Sequence, residues 1–180
     1  YNVKGVKVVV LYPADKISPL QEAQMTTLHE NILPLKVSGT FDDCQRMVKS
    51  MFRDEALRRR VRVTSANSIN LLRWIPQSFY YFYAYAQLKK LGKADNAVIC
   101  VPSGNFGNIT AGLFGKKMGL PVKRFIAANN RNDIFLEYLK TGQYNPRPSV
   151  ATLANAMDVG DPSNFARVLD LYGNEHKAIC

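Results

Sequence analysis

Short β-branched runs alternate along this chain with stretches whose apolar residues recur every three or four positions. Val6 to Tyr12 (VKVVVLY) is brief, rich in Val and closed by Pro13, which predicts a buried strand. Ser18-Pro19-Leu20-Gln21 follows. There Ser18 can cap, Pro19 suits the first helical position and Gln21 completes a capping box, so a helix begins. Ile32 to Val37 predicts a second short strand, moved toward a sheet edge by Pro34. Thr40-Phe41-Asp42-Asp43 repeats the capping logic, and Phe41, Cys44, Val48, Met51 and Phe52 keep helical spacing. The first 60 residues thus alternate strand, helix, strand, helix.

Beyond Val61-Arg62-Val63-Thr64 the pattern changes to SANSINLLRWIPQSFYYFYAYAQLKKLG. Its later part predicts a helix with Leu72, Ile75, Phe79, Phe82 and Ala86 near one face and Gly92 as its stop. Pro76 should kink this helix or lie in its first turns. A strand over Ala97 to Val101, a glycine-rich loop and a helix from Gly107 to Met118 come next. Val122 to Ala128 predicts another strand, and Asp133 to Lys140 a helix stopped by Gly142. Asp161-Pro162-Ser163-Asn164 opens a last helix ending at Gly173. Strands separated by helices imply βαβ units: the fold class is α/β, with open, mostly parallel sheets flanked by helices.

Composition changes this picture little. The chain has 180 residues, 47% apolar and 21% charged, which suffices for one large domain or two small ones. No run approaches the roughly 18 apolar residues of a membrane helix, and neither a membrane partner nor a signal peptide is expected. The first residue is Tyr1, so a piece of a longer chain is expected. Cys44, Cys100 and Cys180 are far apart and odd in number, which fits a reducing cytoplasm better than a disulfide framework. With only His29 and His176, no metal site is expected.

The formal charge of +10 is the strongest compositional signal. It is compatible with nucleic acid, acidic lipid or phosphorylated small molecules as partners. The charges are scattered, however, which favours a solvated basic surface. The dense patch Arg58-Arg59-Arg60 with Arg62 falls at an expected helix end, where cations complement the dipole. FYYFYAY reads either as a stacking platform for bases or as packing. A helix apolar on nearly all sides favours packing, so no nucleic-acid partner is expected.

The stretch VPSGNFGN (Val101 to Asn108) carries the candidate chemistry. Ligands of open α/β sheets sit at the carboxyl ends of strands, where loops lead into helices. A helix N-terminus there presents unpartnered N–H groups and a partial positive charge. Gly104 and Gly107 remove side chains that would hold an anion away, and Ser103, Asn105 and Asn108 carry further donors. The spacing G-x-x-G followed by Asn108-Ile109-Thr110 matches neither the nucleotide P-loop nor the dinucleotide fingerprint. The pattern therefore suits a single phosphate monoester, or a turn that merely joins strand to helix.

The SGNFGN loop resembles the phosphate cup of the threonine synthases, enzymes of the tryptophan-synthase-β-like class (fold type II) that use pyridoxal 5'-phosphate. LYPADKISPLQEAQMTT, GTFDDCQ, SANSIN, PRPSVAT and NAMDVGDPSNF resemble stretches of the same family in the same order, so the likeness spans nearly the whole chain. Asn108 stands where an Asp is frequent in the family. The resemblance implies cofactor contacts at Gly104, Asn105, Phe106 and Asn108, with Ser103 and Gly107 beside them. Phe106 either contacts the cofactor or plugs the core beneath the loop. In Ser65-Ala66-Asn67-Ser68-Ile69-Asn70, Asn67 or Ser68 is expected to cap the following helix, with Asn67 or Asn70 also reaching the ligand. Arg131 either pairs with an anionic substrate or stays at the surface.

The resemblance further implies a lyase that converts O-phosphohomoserine and water to threonine and phosphate. Another lyase of the same cofactor class, or a basic module for nucleic acid or an acidic partner, are the alternatives. The Schiff-base lysine of the family falls upstream of residue 1, and none of the thirteen lysines present stands in its context. The chain is expected to be an incomplete middle section. Residues 1–60 would belong to the small mobile domain and 61–180 to the large cofactor-binding domain, inactive alone. Oligomeric state is open.

Overall fold

The computed structural model describes residues 3–179; Tyr1, Asn2 and Cys180 lie outside them. The chain divides into two compact units, Tyr1–Val63 and Thr64–Cys180.

In the first unit, β1 (Val8–Pro13) and β2 (Ile32–Val37) pair in parallel, Val8 opposite Ile32 and Pro34 opposite Val10. The connection between them is α1 (Pro19–Thr26). The capping box is formed: Ser18 Oγ accepts from Gln21 N at 3.2 Å, and Gln21 Oε1 accepts from Ser18 N at 3.1 Å. The same reciprocal arrangement between Thr40 and Asp43 starts α2 (Phe41–Arg53), which buries Cys44 and Gln45. Asp54 then ends α2 and caps α3 (Glu55–Arg60), which closes on Arg58, Arg59 and Arg60 as the charge pattern predicts.

The second unit holds a second parallel pair, β3 (Val98–Pro102) with β4 (Arg124–Ala128). Between them runs α5 (Gly107–Lys117), and the long α4 (Leu71–Lys90) precedes them. After β4 come α6 (Ile134–Thr141), a single 3₁₀ turn at Asn155–Met157, α7 (Phe165–Leu171) and α8 (His176–Ile179). The 3₁₀ turn and α8 are too short to have shown in the periodicity. One core gathers Val101, Phe106, Ile109, Phe135, Tyr138 and Phe165 beneath the end of β3. A smaller one joins Ala97, Leu120 and Val122 to Tyr81, Phe82, Tyr85 and Leu88 of α4.

Two expectations need correction. The face of α4 turned inward runs through Trp74, Ser78, Tyr81, Phe82, Tyr85 and Leu88, not through Leu72, Phe79 and Ala86. Leu72 and Phe79 are 75% and 59% exposed. A helix apolar on all sides offers no phase by which to choose a face. Second, the cap of α4 is Asn70, whose Oδ1 accepts from Leu72 N at 3.1 Å. Neither Asn67 nor Ser68 caps it, because residues 67–70 form a separate turn, Asn70 N donating to Asn67 O at 3.0 Å. Pro76 lies inside α4, in its second turn.

Among the described residues Cys44 is a buried free thiol and Cys100 an exposed one. No helix among them is long and apolar enough to cross a membrane. No group of three or more His, Cys, Asp or Glu among them is placed to hold a metal ion.

Candidate functional site

The loop after β3 is shaped by its own side chains. Ser103 N donates to Ala128 O at 2.9 Å, continuing the β3–β4 ladder by one residue, and Ser103 Oγ donates to Val101 O at 2.9 Å. Asn108 ties strand end to helix start: Nδ2 donates to Pro102 O at 2.7 Å while Oδ1 accepts from Ile109 N at 2.9 Å. An aspartate could make the second bond but not the first. The Tyr81 hydroxyl donates to Asn108 O at 2.7 Å, and burial pushes its pKa up to about 12.

Phe106 sits at the turn itself, in the left-handed region with φ +64°. That conformation costs about 1 kcal/mol or more for a residue with a Cβ. The cost is offset by burial, since the ring is 2% exposed and lies 4.6 Å from the Phe135 ring, centroid to centroid. Of the two expected roles the structure shows the core plug. The reversal of hand at Phe106, followed by helical Gly107, turns successive amides to a common side, as in anion-binding nests. Among the described residues the backbone N–H groups of Gly104 through Asn108 meet no hydrogen-bond acceptor. Unpaired amides at the start of a helix are a ready site for an anion.

Two segments far away in sequence wall this loop. Asn105 Nδ2 donates to Ser68 Oγ at 3.1 Å, and Asn105 Oδ1 accepts from both Ser163 N (2.7 Å) and Ser163 Oγ (3.0 Å). Asn164, fully buried, donates through Nδ2 to Ser68 Oγ at 3.0 Å and to Asn105 O at 2.9 Å. The glycines permit this closeness. A Cβ on Gly107 would stand 2.8 Å from Ser68 Cβ, and one on Gly104 would stand 2.7 Å from Met157 Cα.

The segment that brings Met157 there is pinned by a polar cluster. Asp158 Oδ1 accepts from Asn130 Nδ2 (2.8 Å) and Thr152 Oγ1 (2.7 Å), and Oδ2 accepts from Thr152 N (2.8 Å). Asn132 adds a two-way bridge to the backbone of Val150, at 2.9 and 2.7 Å.

The structure thus brings Ser103, Gly104, Asn105, Phe106, Gly107 and Asn108 into one loop, with most of their side-chain donors spent on the scaffold. Asn67 is exposed and Asn70 is occupied as a cap, its Nδ2 donating to Ser65 O at 2.9 Å. Arg131 is exposed. Sequence reasoning missed Ser68 as a wall residue, read Ser163 and Asn164 only as the start of a helix, and missed Arg167. The only signal for the first three was their place within SANSIN and DPSNF; Arg167 lies two residues beyond DPSNF and gave none.

In open α/β folds ligands sit at such a strand-to-helix junction, and free amides there suit an anion. The chain belongs to the family of pyridoxal-phosphate dependent enzymes, which matches residues 2–179. It is 52% identical over 172 residues to the threonine synthase of Haemophilus influenzae, covering 96% of this chain and 40% of that protein. Its fold is similar to the crystal structure of threonine synthase from Escherichia coli, with TM-score 0.91, 50% identity and 97% of this chain covered. Against the pyridoxal-phosphate-bound threonine synthase of Brucella melitensis the TM-score is 0.74 and the identity 38%, over 96% of this chain. The chain spans about 40% of the length of the curated relatives it matches. Fold type II, and with it the fold class read from the sequence, is that of these relatives.

Proposed function

We propose that the loop Ser103 to Asn108 holds the phosphate of pyridoxal 5'-phosphate, and that the protein carrying it is a threonine synthase. The observation that carries this reading is the run of unpartnered amides from Gly104 to Asn108 at the start of α5. An anion there would meet donors, the positive end of the α5 dipole and no intervening side chain at Gly104 or Gly107. Ser103, Asn105 and Asn108 hold the loop in shape, and Phe106 anchors it to the core. When bound, the cofactor supplies an electron sink for carbanions next to the amino-acid nitrogen.

The reaction proposed is conversion of O-phosphohomoserine and water to threonine and phosphate. The bond from the γ-carbon to the phosphate oxygen breaks, water supplies a hydroxyl to the β-carbon and a hydrogen to the γ-carbon, which becomes the methyl, and the proton lost from the β-carbon leaves with the phosphate. The chemistry requires a lysine to carry the cofactor and move protons. None of the thirteen lysines is hydrogen-bonded to the loop or its walls among the described residues. The 180 residues by themselves are accordingly proposed to be inactive. The unit ending at Val63 is proposed as part of a small domain and the unit from Thr64 as part of a large, cofactor-binding one.

The test is an assay of the full natural chain for threonine and phosphate from O-phosphohomoserine, with the 180-residue chain in parallel. Equal amounts of both products from the full chain, and none from the shorter one, are expected. Phosphate without threonine would point to another lyase of this class and sink the substrate assignment.

A further inference from the structure

Arg167, on α7, is half-buried, and its guanidinium spends its donors on amide oxygens. Nη1 donates to Ser68 O at 3.0 Å and to Asn164 Oδ1, and Nη2 donates to Ile69 O at 2.7 Å. Arg147, by contrast, pairs with both Asp133 and Glu137. Arg167 has no carboxylate partner among the described residues, so its charge is partly desolvated and not offset. Burial alone lowers its pKa, as expected where no anion compensates. A half-buried charge with no opposite partner is favoured when an anion is held nearby.

The groups that Arg167 holds are those that wall the loop. Through Ser68 O and Ile69 O it fixes the turn that presents Ser68 Oγ to Asn105. Through Asn164 Oδ1 it orients the carboxamide whose other end bonds Ser68 Oγ and the Asn105 carbonyl. One side chain thus joins residues 68, 105 and 164 behind the free amides, and it is the charged member of this network.

We propose that Arg167 is the electrostatic anchor of the loop: it positions Ser68 and Asn164, and its charge is completed by a phosphate monoester bound to the amides of Gly104 to Asn108. This rests on the reading of the loop as the cofactor-phosphate site. Arg167 acts from behind the wall and is a positioning residue. Removing its charge should weaken binding of a phosphate more than binding of the same molecule without it.

The experiment titrates pyridoxine 5'-phosphate and pyridoxine into the full natural chain, freed of cofactor, by calorimetry. The natural chain is compared with Arg167→Met and Arg167→Lys. The ratio of the two affinities is the readout. Arg167→Met should reduce the preference for the phosphorylated form by roughly tenfold or more. Arg167→Lys should keep it within about threefold, because charge survives although the planar fork does not. The natural chain's preference should also fall more steeply with salt than that of Arg167→Met. Equal weakening of both ligands, or an unchanged ratio, would reduce Arg167 to a structural brace and overturn the proposal. Should Arg167→Met not fold, a tenfold loss of preference in Arg167→Lys would overturn it equally. A natural chain without any preference would instead refute the loop assignment itself.

Discussion

Adding one methyl group at Gly104 probes the closest approach in the site. The new Cβ would stand 2.7 Å from Met157 Cα and 3.2 Å from the Met157 carbonyl carbon and oxygen. Carbon pairs settle at roughly 3.5–4.0 Å, so one backbone must retreat by about 1 Å. Neither is free to do so. Met157 O accepts from Val159 N at 2.9 Å, Met157 N donates to Ala154 O at 2.8 Å, and the neighbouring Asp158 carboxylate holds Thr152 and Asn130. On the other side, Asn105 is bonded to Ser163 and Ser68. Overpacking of this kind costs about 1–3 kcal/mol, against a total of about 5–15 kcal/mol for a typical domain. Gly104→Ala should therefore lower the melting temperature by roughly 5–15 °C. Thermal and denaturant unfolding, followed by the single Trp74, gives the number. A loss below about 0.5 kcal/mol would show that Met157 does not press on Gly104, and the described wall would be wrong.

Other perturbations separate the parts of the argument. Phe106→Ala should cost about 3–5 kcal/mol in denaturant unfolding through the lost ring. Phe106→Gly should be the milder variant by roughly 1 kcal/mol, since glycine accepts φ +64° without strain; the reverse order would deny that strain. Tyr81 keeps its proton in the folded state up to about pH 12, above the ordinary value of 10.0. Its contribution to stability is full below pH 10 and is lost as pH rises through about 12. Tyrosinate absorbance and unfolding free energy followed over that window should lose this component in Tyr81→Phe. Thr40→Ala removes the acceptor for Asp43 N and should destabilise the first unit by about 1 kcal/mol in urea unfolding.

What was legible in the sequence was local chemistry. Ser18 with Gln21, and Thr40 with Asp43, announce their helices because the partners lie three residues apart and need nothing else. The loop Ser103 to Asn108 was legible as a candidate because glycines at a strand-to-helix junction leave amides bare. The inward face of α4 was not, since Leu72 and Phe79 are as apolar as Tyr81 and Phe82, and only the packing of α5 and β4 chooses between them. The walls of the site were illegible for a different reason. Ser68 meets Asn105 across 37 positions and Asn164 across 96, and polar residues at such separations carry no period to read. The role of Asn108 also became clear only in three dimensions, where its amide nitrogen bonds to Pro102 O.

Calorimetry on the 180-residue chain decides whether this loop takes a phosphate. Pyridoxine 5'-phosphate and pyridoxine are titrated at moderate salt, and neither carries the aldehyde that would react with surface lysines. Gly107→Glu is the control, because its Cβ alone would meet Ser68 Cβ at 2.8 Å and its carboxylate repels an anion. At least a tenfold preference for the phosphorylated ligand is expected, abolished by Gly107→Glu. Equal affinity for the two ligands, or a preference that survives Gly107→Glu, would contradict phosphate binding at the loop.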